Sequence, residues 1–159
     1  MSDLSLRPTR PFKTILVAGL IAGFLDGMDA VVYIAWMNGR SATRVFQFIA
    51  SGALGVKSFQ GGAATALLGA FFHFTIAIGA AAVFYVLSMK LPMVRRPFIW
   101  GPVYGVGVFV FMHYVVVPLS AAPKQPPLSP AGLTNLLFSH IFFVGLPIAL
   151  VTKKFSRPL

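Results

Sequence analysis

Four stretches of the chain, Thr14 to Trp36, Ala63 to Leu87, Phe98 to Leu119 and Gly132 to Val151, each hold about 20 predominantly apolar residues, the length an α-helix needs to cross a bilayer's hydrocarbon. They predict an all-α, polytopic membrane protein, a single transmembrane domain over residues 1–159 built as a four-helix bundle. Composition agrees: 57% of the residues are hydrophobic, 10% are charged and the mean hydropathy is +0.84. Such a chain lacks the polar residues to coat a soluble globule, for which about 25% charged residues are typical. The segment AAPKQPPLSP, with its four prolines, excludes helix and sheet and marks a loop between the last two spans. KLPMVRRP is a second tight connection, ended by Pro97. Arg7, Arg10 and Lys13 precede an apolar run that outlasts the roughly 7 to 15 residues of a signal peptide, so the first segment reads as a retained helix.

Thirteen Lys and Arg against three acidic residues give a formal charge of +10. In a soluble domain that excess would raise nucleic acid as a partner. Here the basic residues flank apolar segments, and no basic run is interleaved with exposed aromatics, so the expectation is lipid headgroups and no nucleic acid. Nine of the thirteen fall in the N-terminus, the Lys90 to Pro97 loop and the C-terminal tail, and four in the segments Asn38 to Gly62 and Ser120 to Pro130. The positive-inside rule then sets both termini in the cytoplasm. Arg40, Arg44 and Lys57 run against that count. They belong to or adjoin RSATRVFQFIASGALG, where Val45, Phe46, Phe48, Ile49 and Ala53 are spaced to form an apolar face; the segment is either a short interfacial helix after the first span or an ordinary loop.

Small residues mark helix contacts. Gly19, Gly23 and Gly27 form a stripe at four-residue spacing in the first span, and Ala66, Ala70 and Ala77 share a face of the second, beside Gly69. Such stripes serve contacts within one chain or between copies. A structural or accessory subunit that oligomerises, or joins a larger membrane complex, through the glycine stripe is therefore one functional reading. Gly105 and Gly107 in GPVYGVGVF lie within a span and read as packing.

The other readings come from ionisable residues within the spans, each costing at least about 2.5 to 3.5 kcal/mol at bilayer depth unless it meets a partner or water. Asp26, Asp29, His73, His113 and His140 all fall within roughly 7 Å of the midplane, on the outer side, when counted at about 1.5 Å per residue. One layer drawn from four helices points to a convergent site. Carboxylate and imidazole suit a divalent metal, with His73, His113, His140 and Asp26 as ligands. They equally suit proton relay. Two histidines on different helices could also ligate haem. The plainer alternative is that each histidine hydrogen-bonds a neighbour and fixes helix register. Pro147, about two turns beyond His140, is expected to kink the last span.

The absence of cysteine removes disulfides, thiolate metal sites and cysteine nucleophiles. G-x-S-x-G, H-E-x-x-H and phosphate-loop motifs are missing, and there is no Glu, so no enzyme is expected.

In the order of GLIAG at Gly19 to Gly23, HFTIAIGAAAVFYVL at His73 to Leu87, FVFMHYVVVPLSAAP and the late SHIFFVG, the chain resembles the YagU-like family of uncharacterised bacterial inner-membrane proteins over roughly 110 residues. In that resemblance a histidine opens the second block, another precedes a Pro-Leu turn and a third sits in the last helix, which His73, His113 and His140 match. The resemblance implies a bacterial inner-membrane location and this architecture, and it carries no biochemical activity. Asp26 and Asp29 depart from the family pattern, which tends to have a basic residue and a proline-rich stretch there.

Overall fold

The computed structural model describes residues 6–8 and 10–158; residues 1–5, Thr9 and Leu159 lie outside the described part. Its helices are α1 (Pro11–Asn38), α2 (Ala42–Leu54), α3 (Gly62–Lys90), α4 (Pro97–Leu119) and α5 (Pro130–Lys154). Four of them, α1, α3, α4 and α5, are long and apolar enough to cross a membrane, which is the architecture of a multi-pass membrane protein. Three of the four begin on a proline, Pro11, Pro97 and Pro130, a residue suited to a first turn whose N–H groups have no helical partner. Ser129 caps α5 by accepting a hydrogen bond from the Gly132 N–H.

Two of the spans are not purely α-helical. Met112–Val116 in α4 and His140–Gly145 in α5 are π-helical turns, closed by the Val117 N–H on the Met112 carbonyl and the Leu146 N–H on the Ile141 carbonyl. Pro118 and Pro147 follow directly. A proline ring collides with the carbonyl four residues back, and a turn widened by one residue relieves that collision. The kink expected at Pro147 takes this form.

Helix contacts use backbone more than side chains. The Gly19, Gly23 and Gly27 stripe lies against α3 of the same chain: a Cβ at Gly19 would fall 2.5 Å from Ile78 Cα, one at Gly23 3.1 Å from Ala77 Cβ, and one at Gly27 3.1 Å from His73 Nε2. All three glycines are buried, so the stripe is occupied within the monomer fold and is not a free oligomerisation face. On the other side of the bundle Gly145 of α5 sits on Gly101 and Gly105 of α4, with a Cβ at Gly145 within 2.7 Å of Gly105 Cα. Gly105 is thus a packing residue as expected. Gly107 is not, since it has nothing within 4 Å.

The segment after the first span is a helix, which settles helix against loop. Its most buried residues are Gln47, Ala50 and Ser51, while Val45, Phe46, Phe48 and Ile49 of the apolar face are half-buried and Ala53 is exposed. Gly69 of α3 lies against the Phe46 carbonyl and brings the two backbones together. Gln47 Nε2 donates to the Gly62 carbonyl at 3.1 Å.

The core lies toward the end of the bundle that carries the termini, where Ala18 and Ala22 meet Ala81 and Phe84 of α3 and Val144, Ile148 and Ala149 of α5. There the backbone of Leu6–Pro8 (β1) pairs antiparallel with Ser156–Pro158 (β2), and Tyr85 Oη donates to the Pro8 carbonyl at 3.2 Å. The outward surface is apolar: Phe12, Trp36 and Leu119 are 78%, 85% and 82% exposed, as lipid-facing side chains should be.

Candidate functional site

Above the core the packing loosens into a cavity of about 110 Å³ whose walls include Asp26 of α1, His73 of α3 and His140 of α5. Ala22 and Val144 form its floor, shared with the core, and Ile49 of α2 and Met112 of α4 close it toward the other end. Three of the five ionisable residues picked out by depth therefore meet in one place.

Each is held by a specific bond. Ser139, buried and one residue before His140, donates its hydroxyl to Asp26 Oδ1 at 2.7 Å. His73 Nε2 lies 2.8 Å from the Gly23 carbonyl, and His140 Nδ1 lies 2.8 Å from the Leu136 carbonyl one turn earlier. A carbonyl only accepts, so His73 carries its proton on Nε2 and His140 on Nδ1. In the neutral rings this leaves His73 Nδ1 and His140 Nε2 as lone-pair acceptors. The small-residue stripe explains the His73 geometry, because glycine at 27 leaves the space that Nε2 uses to reach Gly23. The π-helical turn explains part of the His140 geometry, since it begins at that residue.

Asp29 and His113 are elsewhere. Asp29 Oδ2 accepts from Asn135 Nδ2 at 3.0 Å, a second bond between α1 and α5 one turn further along. His113 stacks on Phe109 with ring centres 5.6 Å apart and stands edge-on to Tyr114 at 4.8 Å. Phe109 in turn meets His140 edge-on at 5.8 Å, so a phenyl ring lies between the two histidines. Ser139 and Asn135, which bind the two aspartates, were not among the expected site residues. Their signal was legible: both are polar residues in the last span, four apart on one helical face, as Asp26 and Asp29 are three apart in the first.

Among the described residues no three His, Asp or Glu side chains stand close enough together to hold a metal ion. The expected ligand set of His73, His113, His140 and Asp26 is not assembled among the described residues, His113 being turned onto Phe109. Haem does not fit either. The cavity is well under the roughly 300 to 1,000 Å³ of sites for ligands of that size.

The electrostatics of the cavity follow from the sequence. No Lys or Arg occurs between Lys13 and Arg40, Lys57 and Lys90, Arg96 and Lys124, or Lys124 and Lys153, so the fixed cations of the spans, Lys13, Lys90, Lys153 and Lys154, stand in their terminal turns and none lies at the depth of the cavity. The charge of Asp26 can be balanced by a proton on the carboxylate, a proton on a histidine or a cation that enters from outside. Comparison of the chain with protein-family models, with curated proteins and with solved structures gives no match.

Proposed function

We propose that this four-span protein handles protons at the cavity formed by Asp26, His73 and His140, as a non-enzymatic membrane component. The observation that carries the reading is one carboxylate and two imidazoles on a single cavity, with no Lys or Arg in its walls to neutralise the carboxylate permanently. Groups in such a position exchange protons with whatever water or solute reaches them, and imidazole does so near neutral pH. The buried Ser139 hydroxyl fixes the carboxylate against α5, the helix that carries His140. In this reading the membrane is a bacterial inner membrane and both termini are cytoplasmic, supported by the nine basic residues at the end where β1 and β2 pair. Kinship with the YagU-like family belongs to the same proposal.

The test is proton flux. The purified protein is reconstituted into vesicles loaded with a pH-sensitive dye, and an external acid pulse is applied. Wild type is expected to dissipate the gradient about tenfold faster than Asp26→Asn, which keeps the shape and removes the charge. Equal rates for wild type, Asp26→Asn and empty vesicles would overturn the proposal.

A further inference from the structure

A second cavity, about 290 Å³ and almost wholly apolar, lies between α2, α3 and α4, with Phe48, Gly52, Phe72 and Val116 in its walls. It abuts the polar cavity, since Ile49, Ile76 and Met112 line both. Ile76 is 40% exposed, so a path from the lipid side to Asp26 would run past these three shared side chains. Around it α4 is clamped to α5 through Gly101, Gly105 and Gly145, α3 is clamped to α1 through the glycine stripe and to α2 at Gly69 and Phe46, and α3 and α4 meet through the hydroxyl of Tyr104 on the Ala80 carbonyl.

The inner end of the path accepts hydrogen bonds. Asp26 is a carboxylate, Oδ1 already receives Ser139, and the rings of His73 and His140 have spent their donors on the Gly23 and Leu136 carbonyls. What remains to a visitor is Asp26 Oδ2 and two imidazole lone pairs, with no fixed cation in the cavity walls. That chemistry rejects a second anion and matches an ammonium group, while the apolar cleft matches a hydrocarbon tail.

We propose that the protein binds a lipophilic primary amine from the bilayer, with its tail in the cleft between α2, α3 and α4 and its ammonium on Asp26, exchanging with the proton that otherwise neutralises that carboxylate. The inference rests on the reading of Asp26, His73 and His140 as the functional centre and names the substrate class of that centre. A simple alkylamine has the ordinary pKa of a lysine side chain, about 10.4, and arrives as the cation at neutral pH.

The experiment uses the full chain in lipid nanodiscs and tritiated decylamine, with empty nanodiscs subtracted. Saturable binding is expected, displaced by unlabelled decylamine at concentrations about tenfold lower than by decanol or decanoate, which share the tail and lack the cation. Asp26→Asn is expected to lose about tenfold in affinity. Met112→Trp, which fills the wall common to both cavities, is expected to weaken binding. Equal displacement by decylamine and decanol would overturn the inference in favour of a generic acyl-chain groove. Amine binding absent from a wild type whose proton flux depends on Asp26 would overturn it and leave the proton reading standing. Flux insensitive to Asp26 would instead remove the reading beneath it. Should Asp26→Asn fail to fold, the competition series on wild type and Met112→Trp still decide.

Discussion

Gly145→Ala should be among the more damaging single-methyl changes in the molecule, with the glycines at 69 and 105. A Cβ at that position would lie 2.6 Å from Gly105 N and 2.7 Å from Gly105 Cα, with the Gly101 carbonyl oxygen closer still. Backbone atoms of two helices cannot rotate away as a side chain can, so α4 and α5 must part by roughly 1 Å to restore ordinary contact. Overpacking of this kind costs about 1 to 3 kcal/mol. The control is Gly107→Ala on the same contact partner α4, where nothing lies within 4 Å and alanine's better helix propensity should contribute up to about 1 kcal/mol in the opposite direction. Since the propensity gain is common to both changes, the two variants are expected to differ by the overpacking cost, about 1 to 3 kcal/mol. Reversible unfolding in mixed micelles, followed by far-ultraviolet circular dichroism at increasing denaturing detergent, reads this difference. Equal stability of the two variants would refute the claim that α4 and α5 are held by glycine-to-backbone contact.

Three further expectations concern the parts of the fold that carry or surround the cavity. Gly69→Val should separate α2 from α3, because the new side chain meets the Phe46 carbonyl and Ala50 N at 3.2 Å; faster amide exchange across Ala42–Leu54, with α1 and α5 unchanged, is the readout. Pro147→Ala removes the cause of the widened turn at His140–Gly145, so the last helix should regain α-helical hydrogen bonding, detectable in amide exchange, and proton flux should fall as His140 turns out of the cavity. Asp29→Asn and His113→Ala should each leave flux within about twofold of wild type, since neither residue lines the cavity; a loss matching that of Asp26→Asn would place them in the site after all.

The spans were readable because bilayer thickness sets their length, and the helices extend only a few residues beyond the apolar stretches, to the prolines at 11, 97 and 130 that start them. Depth along each helix was also readable, which is why Asp26, His73 and His140 meet. Rotation about the helix was less so. Asp29 lies about 60° round from Asp26 and finds Asn135, while His113 sits in a π-helical turn, where counting at about 100° per residue loses phase. The inward face of α2 was not read from the sequence for a physical reason: in lipid, large apolar side chains serve the outside well, and small or polar residues such as Ala50, Ser51 and Gln47 serve helix contact. The neighbouring apolar cleft could not be read at all, because it is a space bounded by three helices and no residue pattern encodes it.

The sharpest measurement is a double-variant cycle of vesicle proton flux with Asp26→Asn, His140→Gln and the two combined. If both groups act on one proton path, each single change should remove most of the flux and the pair should remove no more than either alone. Losses that multiply, or a His140→Gln protein as fast as wild type, would contradict a shared site at the Asp26, His73 and His140 cavity.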